Sequence, residues 1–391
     1  MDMKGEYIIS YIIIVCLEWG CTKPYVPDVI ASSNNYLVVE GNINTGTDST
    51  IIMLSRTVNI SSGVNSIPEL NATIAIQDDQ NQSYNLNSRG NGRYVSPVLN
   101  LDPTREYRLN ISTSDGKTYV SDYVPTMISP PIDSIGFTIQ GNGIQIYVNT
   151  HDANNKTHYY RWDYTETWEF HAKYFSSYIS NDTAIVIRQP SQYIYQCWTN
   201  DISTNIELGS SAKLSQDVIY EAPLVFIPST SEKIETRYSI LLKQYAMTTD
   251  GYNYYSLLKK NTEELGSIFD AQPSKLTGNI HCTTNPNLPV IGYVTAGSTQ
   301  LKRVYIDNSQ LPNHWNPTYP YNCELDTAFY SDHRFKGLNT VLEYLVPLPN
   351  SQIPISAIFE GSPNPVGFQY SDIDCVDCSV RGTLTKPSFW Q

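Results

Sequence analysis

Two cysteines near the C-terminus have the spacing of metal ligands or of disulfide partners. They lie in the segment Cys375-Val376-Asp377-Cys378. A zinc site of this kind needs a second, similarly spaced pair of ligands, whereas Cys282 and Cys323 are far apart in the sequence. We therefore favour disulfide bonds over zinc, and disulfide bonds persist in proteins that leave the reducing cytoplasm.

Cys21 has the sequence context of a lipidation site. The apolar segment 8–17 (IISYIIIVCL) has about ten residues, half of the roughly twenty that span a bilayer, which is typical of a signal-peptide core. Gly20 supplies the small residue that lipoprotein processing requires before the modified cysteine. Glu18 and Trp19 are poor residues for such a site, so a plain secretory peptide is the main alternative. We predict a signal peptide over 1–21 with lipidation at Cys21, followed by a tether over 22–35.

Five cysteines remain once the leader and Cys21 are removed. An odd number leaves at least one cysteine unpaired if the others form disulfide bonds in an exported protein. The five are Cys197, Cys282, Cys323, Cys375 and Cys378.

Other patterns with catalytic or metal-binding potential are weak. Ser210-Ser211-Ala212-Lys213 matches Ser-x-x-Lys, but the Ser-Asp-Asn and Lys-Thr-Gly partners of that motif are missing. Asp372, Asp374 and Asp377 form an acidic run without the glycine and distal glutamate of a calcium loop. The 6 histidines include no His-Glu-x-x-His pair. We predict no enzyme activity, no metal and no cofactor.

The amino-acid composition indicates the fold class and disfavours some classes of binding partner. The net charge of -13 disfavours nucleic acid, whose phosphate backbone requires a basic surface. An acidic surface also disfavours electrostatic membrane binding, so a membrane tether would be apolar or covalent. The 30 tyrosines, together with many Thr, Val and Ile residues, favour strands over helices. We predict a mainly β protein.

Short β runs fill the first predicted domain, 36–128. In the run that contains Tyr107, Leu109 and Ile111, apolar and polar residues alternate, which indicates one buried face and one solvated face. About seven such runs match an immunoglobulin-like β-sandwich better than a barrel, although spacing alone does not separate the two folds. Ser129-Pro130-Pro131 interrupts regular structure and marks the domain boundary.

The second predicted domain, 129–391, is larger and also β-rich. Alternating runs on both sides of Gly141-Asn142-Gly143 predict a hairpin. A helix is predicted near 250–265, with Thr248 or Thr249 as its N-cap and Gly266 at its end. The chain after Thr283 is loop-rich with many prolines, and no element is assigned there.

A series of short segments along nearly the whole chain resembles a family of outer-membrane lipoproteins of Bacteroidota, domain of unknown function four-two-four-nine. The order of these segments, and the final Cys-x-x-Cys followed by Phe-Trp, carry the resemblance. The segments are 36–41 (YLVVEG), 197–198 (CW), 237–240 (RYSI), 266–270 (GSIFD), 272–273 (QP), 278–280 (GNI), 291–293 (IGY), Cys323, 375–378 (CVDC) and 387–390 (PSFW).

The resemblance implies an anchored lipoprotein without established catalytic activity, often encoded beside a SusC-like TonB-dependent receptor. It also implies that Cys197, Cys323, Cys375 and Cys378 are the structural cysteines and that Cys282 is a local addition. Three pairings of those four cysteines remain open. Glu18 departs from the family's lipidation motif, and no obvious acidic run follows Cys21, so the side of the outer membrane stays open.

We therefore expect a non-catalytic outer-membrane lipoprotein that serves as an accessory or binding partner of a TonB-dependent receptor, with glycan or peptide as cargo. One alternative is a carbohydrate-binding or adhesive surface module that stacks exposed aromatic rings on glycans. A second alternative is a secreted hydrolase, which would need carboxylates or histidines that converge in a pocket.

Overall fold

A computed structural model describes residues 35–58, 63–64, 66–263, 276–319, 321–346 and 351–390. The protein is mainly β, as predicted. The predicted signal peptide, Cys21, all but the last residue of the predicted tether, and Gly266 lie outside the described residues. Within the described part of the chain, no helix has the length and apolar character that a membrane crossing requires.

The first nine strands precede the two prolines at the predicted domain boundary. They are β1 Leu37–Asn44, β2 Ser49–Arg56, β3 Ile67–Pro68, β4 Thr73–Asp78, β5 Ser83–Ser88, β6 Arg93–Val98, β7 Glu106–Ser112, β8 Thr118–Ser121 and β9 Val124–Met127.

Nine further strands and the longest described helix follow. They are β10 Ile132–Gln140, β11 Gly143–His151, β12 Tyr159–His171, β13 Tyr178–Ser180, β14 Ile185–Ile187, β15 Gln196–Ile202, β16 Glu207–Ser210, β17 Val218–Pro228, β18 Arg237–Ala246 and helix α1 Thr249–Thr262.

The remaining strands and helices follow α1 in the chain. They are β19 Ile280–Cys282, β20 Val290–Ile291, β21 Thr295–Gly297, β22 Thr299–Asp307, β23 Asp326–Phe329, α2 Thr340–Tyr344, β24 Gln352–Ile358, β25 Gly367–Asp372 and α3 Ile373–Val376.

Eight strands, seven from the first predicted domain and β21 from later in the chain, form a closed ring, which we call the barrel-like sheet. The order is β7-β4-β5-β6-β2-β1-β21-β9, and β9 pairs with β7 to complete the ring. Tyr107, Leu109 and Ile111 of β7 are buried inside, as their alternation predicts. β3, β8, β19 and β20 attach to this ring as additional strands.

The pairing does not confirm the immunoglobulin-like sandwich expected for 36–128. A sandwich would leave two separate sheets, whereas here β21 pairs in parallel with both β1 and β9 and joins the two ends of the sheet. The joining strand comes from residues 295–297, far from the first domain in sequence. Local strand spacing within 36–128 contains no information about that strand.

The expected boundary at residues 129–131 marks where the chain first leaves the barrel-like sheet, but the chain later returns to that sheet. β19, β20 and β21 return from the second segment to pair with β8 and β1. The first domain is therefore discontinuous in sequence, and the second domain comprises 129–263 and the described residues after β21.

The second domain contains a two-layer sandwich. One layer, the back sheet, is β10-β11-β17, and the other, the front sheet, has the order β15-β12-β18-β22, with β16 on the same edge of β12 as β15. Ile144, Ile146 and Val148 of β11 pack in one core with Tyr160 and Trp162 of β12. The predicted hairpin is confirmed, because Gln140 pairs with Gly143 across a two-residue turn.

Two smaller sheets, β13-β14 and β23-β25-β24, complete the described structure. Phe368 of β25 is buried against Tyr178 of β13 and Val341 of α2. The predicted helix near 250–265 is α1, and Thr248 caps it by accepting a hydrogen bond from the Gly251 backbone nitrogen at 3.1 Å.

Candidate functional site

A cleft of about 960 Å³ lies between the barrel-like sheet and the front sheet. Its walls are the outer faces of β1 and β2 on one side and of β12 and β18 on the other, and α1 lies beside both walls. We call it the interdomain cleft. Ligand sites of proteins have volumes of about 300–1,000 Å³ and occur preferentially where domains meet.

The barrel wall of the cleft combines aliphatic side chains with polar ones. Leu37, Val39 and Ile43 of β1 point into the barrel and are at most 1% exposed. The alternation of a strand therefore turns Glu40 toward the cleft. On β2, Ile51 and Met53 line the cleft and are 38% and 36% exposed. This wall offers accessible apolar surface to a ligand.

The front wall carries charge. Tyr160 and Trp162 of β12 point into the sandwich core, so Arg161 and Asp163 face the cleft. Across the sheet, Asp163 is paired in register with Lys243 of β18. The wall thus presents two cations and one carboxylate, flanked by tyrosines of β18 and α1.

Arg161 is the most enclosed charge of the cleft. Its guanidinium lies between the rings of Tyr245 and Tyr255, 4.4 Å and 4.6 Å from their centroids, a favourable cation–π arrangement. Its Nη2 donates to Asp163 Oδ2 at 3.1 Å, while its buried Nε has no hydrogen-bond partner among the described residues. Burial works against its charge, but Tyr255 and Asp163 outweigh burial and raise the pKa of Arg161.

The loop after β15 forms one end of the cleft and is fixed to α1. The Ile206 backbone nitrogen donates to Glu263 Oε1 at 2.7 Å, and Lys259 Nζ donates to the Ile206 carbonyl at 2.7 Å. Ile202 at the start of this loop is 64% exposed. The cleft therefore has a third apolar contact, at the end of β15, where Ile202 pairs with Thr165 of β12.

Hydrogen bonds near the domain boundary fix the two walls relative to each other. Gln244 of β18 is completely buried and accepts from Trp162 Nε1 at 2.9 Å. Its Nε2 donates to the Pro130 carbonyl at 2.8 Å. The Ser129 backbone nitrogen donates to Ser298 Oγ beside β21 at 3.0 Å. These bonds connect the barrel-like sheet to the front sheet, so the cleft is preformed.

Two glycines of the family-like segments permit close packing at the barrel wall. Gly292 has φ +141°, and a Cβ there would lie 2.2 Å from the Val39 carbonyl oxygen. Gly41 has φ +144°, and its Cβ would lie 2.4 Å from the Ile51 carbonyl oxygen. Only glycine combines this backbone conformation with this approach. The segments 36–41 and 291–293 therefore shape the cleft.

The four predicted structural cysteines form two disulfide bonds, Cys197–Cys378 and Cys323–Cys375. Cys282 is buried and unpaired. The two cysteines of the Cys-x-x-Cys motif thus bind different partners. Both bonds lie in the second domain, away from the interdomain cleft.

The Ser-x-x-Lys segment does not form a catalytic arrangement. Ser210 and Lys213 are exposed, and the segment is a turn and not the helix that the motif needs. Ser211 is buried and donates to Asp217, which also accepts from the Tyr160 hydroxyl. With its proton held by a buried carboxylate, Ser211 stabilises the fold.

The acidic run has structural contacts. Asp377 accepts from the Ser379 backbone nitrogen at 2.8 Å, and Asp372 accepts from Gln352 Nε2 at 2.7 Å. In the described ranges, no group of three or more His, Cys, Asp or Glu residues is arranged to hold a metal ion.

No sequence motif indicated Arg161 and Lys243, the two cations that line the cleft. A signal was present in the segment 159–164 (YYRWDY), where charged residues alternate with aromatic ones. That pattern predicts a strand with charges on one face, and a solvated face is the usual interpretation. The opposing barrel wall, which turns this face into a cleft, was not deducible from it.

A family model described as domain of unknown function (DUF4249) matches residues 22–303. The matched region includes both walls of the interdomain cleft and helix α1. No curated protein matches the chain.

Proposed function

Because the chain belongs to the family of the domain of unknown function DUF4249, we propose that it is a non-catalytic, lipid-anchored binding protein of the cell envelope. Cys21 is the proposed anchor and the outer membrane the proposed location. The proposed partner is a SusC-like TonB-dependent receptor of a Bacteroidota outer membrane. The two disulfide bonds support export, because such bonds persist mainly in oxidising compartments.

The interdomain cleft is the observation that carries the proposal of binding. Its volume of about 960 Å³ is suited to a small ligand or a short chain segment. It combines aliphatic surface from β1 and β2 with charges and tyrosines from the front sheet. A receptor that imports a ligand would gain from an accessory protein that presents the ligand in such a cleft.

Capture of a receptor tests the proposed partnership. The full-length chain, expressed in a lipoprotein-competent host fed an alkyne fatty acid, is mixed with solubilised outer membranes. We expect label on the wild-type protein and capture of a TonB-dependent receptor identified by mass spectrometry. Cys21→Ala is the control and should carry no label. Lipidated protein that retains no receptor would contradict the partnership.

A carbohydrate-binding role has one observation in its favour. On the outer surface of the back sheet, Tyr220 and Phe226 of β17 are 75% and 41% exposed, and exposed aromatic rings can stack on sugars. Binding to a glycan array that is lost in Tyr220→Ala would support this second role. Failure of every glycan to bind would remove it.

A further inference from the structure

Lys243 is an uncompensated cation in the interdomain cleft. Its ammonium nitrogen lies 5.4 Å from the centroid of the Tyr245 ring, and among the described residues it has no hydrogen bond or ion pair. Asp163, its cross-strand neighbour, instead binds Arg161. Because Glu40 and Glu263 also line the cleft, the cleft as a whole is not positive. The Lys243 ammonium is a local positive site on the front wall, and it is complementary to a single anionic group of a ligand.

The tyrosines of the front wall are not free platforms for sugar rings. Tyr245 and Tyr255 each stack one face on the Arg161 guanidinium, and the Lys243 ammonium also lies over Tyr245. Sugar recognition commonly uses an unoccupied aromatic face. The front wall therefore favours a ligand that is bound through charge and not through ring stacking.

The opposite wall favours aliphatic groups beside that anion. Ile51 and Met53 present exposed apolar surface, and Ile202 adds a third contact at the end of the cleft. Methionine adapts its shape to varied partners. Thr204 and Asn205 also line the cleft, are exposed and have the donors and acceptors that a peptide backbone requires.

We propose that the interdomain cleft binds a short acidic peptide. A carboxylate of the peptide lies at Lys243, and neighbouring aliphatic side chains lie against Ile51, Met53 and Ile202. This inference rests on the proposed binding function and adds the ligand class. The carboxylate can belong to an Asp or Glu side chain or to the peptide C-terminus, since both offer the same group to the lysine.

Two matched peptide libraries test the proposal. The first contains hexapeptides with Glu or Asp at one central position and randomised aliphatic residues around it, and the second has Gln or Asn at that position. Each is passed over the full-length lipidated chain in detergent, and retained peptides are measured by mass spectrometry. C-terminally amidated copies of both libraries distinguish a side-chain carboxylate from a terminal one.

We expect the acidic library to be retained, and the Gln/Asn library to be retained only if the peptide C-terminus is the recognised carboxylate. If C-terminal amidation leaves retention of the acidic library unchanged, the side-chain carboxylate is the recognised group. If the Gln/Asn library is retained with a free C-terminus and lost on amidation, the C-terminal carboxylate is the recognised group. The inference is overturned if acidic and Gln/Asn peptides are both retained to the same extent after C-terminal amidation, or if neither library is retained in any form.

Three variants connect binding to the named residues. Lys243→Gln should weaken the affinity of a retained peptide about tenfold, because it removes the cation of a charged hydrogen bond. Ile51→Glu, at an exposed position, should weaken it through repulsion. Lys213→Gln removes an exposed lysine outside the cleft and should have no effect. Unchanged affinity in Lys243→Gln, with the protein folded by circular dichroism, would contradict the proposed contact.

The outcomes separate this inference from the proposed function. If the chain captures a receptor but retains no acidic peptide, the ligand class is wrong and the binding function stands. If it captures no receptor but retains acidic peptides through Lys243, the cleft inference stands without the partnership. If it neither captures a receptor nor retains acidic peptides, both proposals are wrong.

Discussion

Asp332 is a carboxylate whose hydrogen bonds hold the small sheet near the C-terminus together. Although only 1% of the residue is exposed, it is charged, because Arg334 donates to it from Nε at 3.0 Å and from Nη2 at 2.7 Å. Thr340 Oγ1 donates to its Oδ2 at 3.1 Å. The hydrogen bonds from Arg334 lower the pKa of Asp332 to about 2.

Asp332→Asn should therefore lower the melting temperature at neutral pH. A carboxyl group whose pKa is lower in the folded state than in the unfolded state stabilises the fold above the unfolded pKa, about 3.9. This contribution is lost as the pH falls through the folded pKa, about 2. Thermal unfolding of both proteins between pH 7 and pH 2 checks this. A difference in melting temperature that stays constant down to pH 2 would contradict the role of charge.

For individual residues, the sequence indicated which cysteines are structural, but it did not indicate which residues contact one another in the fold. The resemblance implied the four bonded cysteines correctly, but it left their pairing open. Cys375 and Cys378 lie on opposite sides of a short turn, where α3 ends, and therefore reach different parts of the fold. Arg161 and Lys243 could not be recognised as site residues, because the feature that groups them is the wall across the cleft.

At the scale of elements, the Cys197–Cys378 bond connects β15 to the turn that follows α3. It closes the longer of the two disulfide loops. Cys197 and Cys378 are separated by 181 residues, and Cys323 and Cys375 by 52. A disulfide bond stabilises a protein chiefly by restricting the unfolded chain, and the effect increases with loop length. Removal of the two bonds should therefore have unequal effects.

We expect Cys197→Ala with Cys378→Ala to lower the free energy of unfolding by about 2–4 kcal/mol. The pair Cys323→Ala with Cys375→Ala should lower it by about 1 kcal/mol less, because the loop is shorter. Urea unfolding of both double variants measures the difference. Equal losses, or a larger loss for the shorter loop, would show that local packing outweighs loop closure here.

Elements with strong local patterns were predictable, and elements without them were not. The hairpin of β10 and β11 and the helix α1 carry their own turn and cap residues, so their sequences specify them. β20 and β21 have two and three residues, too few for a periodic pattern. They are strands because β1 and β9 offer unpaired edges, and that is tertiary information.

For the whole molecule, the first domain depends on residues that come late in the chain. β21 fills the position between β1 and β9, and Ala296, which is 1% exposed, belongs to the barrel core. Without β21, β1 and β9 would each present an unpaired edge, and an open sheet of this kind exposes its core and aggregates.

The fragment 22–128 should therefore not fold by itself, although the sequence predicts a domain within it. We expect poorly dispersed amide resonances from this fragment, and well-dispersed resonances from 22–391 under the same conditions. Adding the segment 129–391 in trans should restore dispersion at least in part. A folded isolated fragment would show that β1 and β9 can close the sheet without β21.

The central claim is that the interdomain cleft holds a ligand, and site-specific photocrosslinking in cells tests it most directly. A photoreactive phenylalanine replaces Ile202 in the cleft or, as a matched control, Ile187 of β14, since these residues are 64% and 66% exposed. After irradiation, we predict a discrete adduct at position 202 that is absent at position 187. No adduct at position 202, or the same adduct at both positions, would contradict the claim.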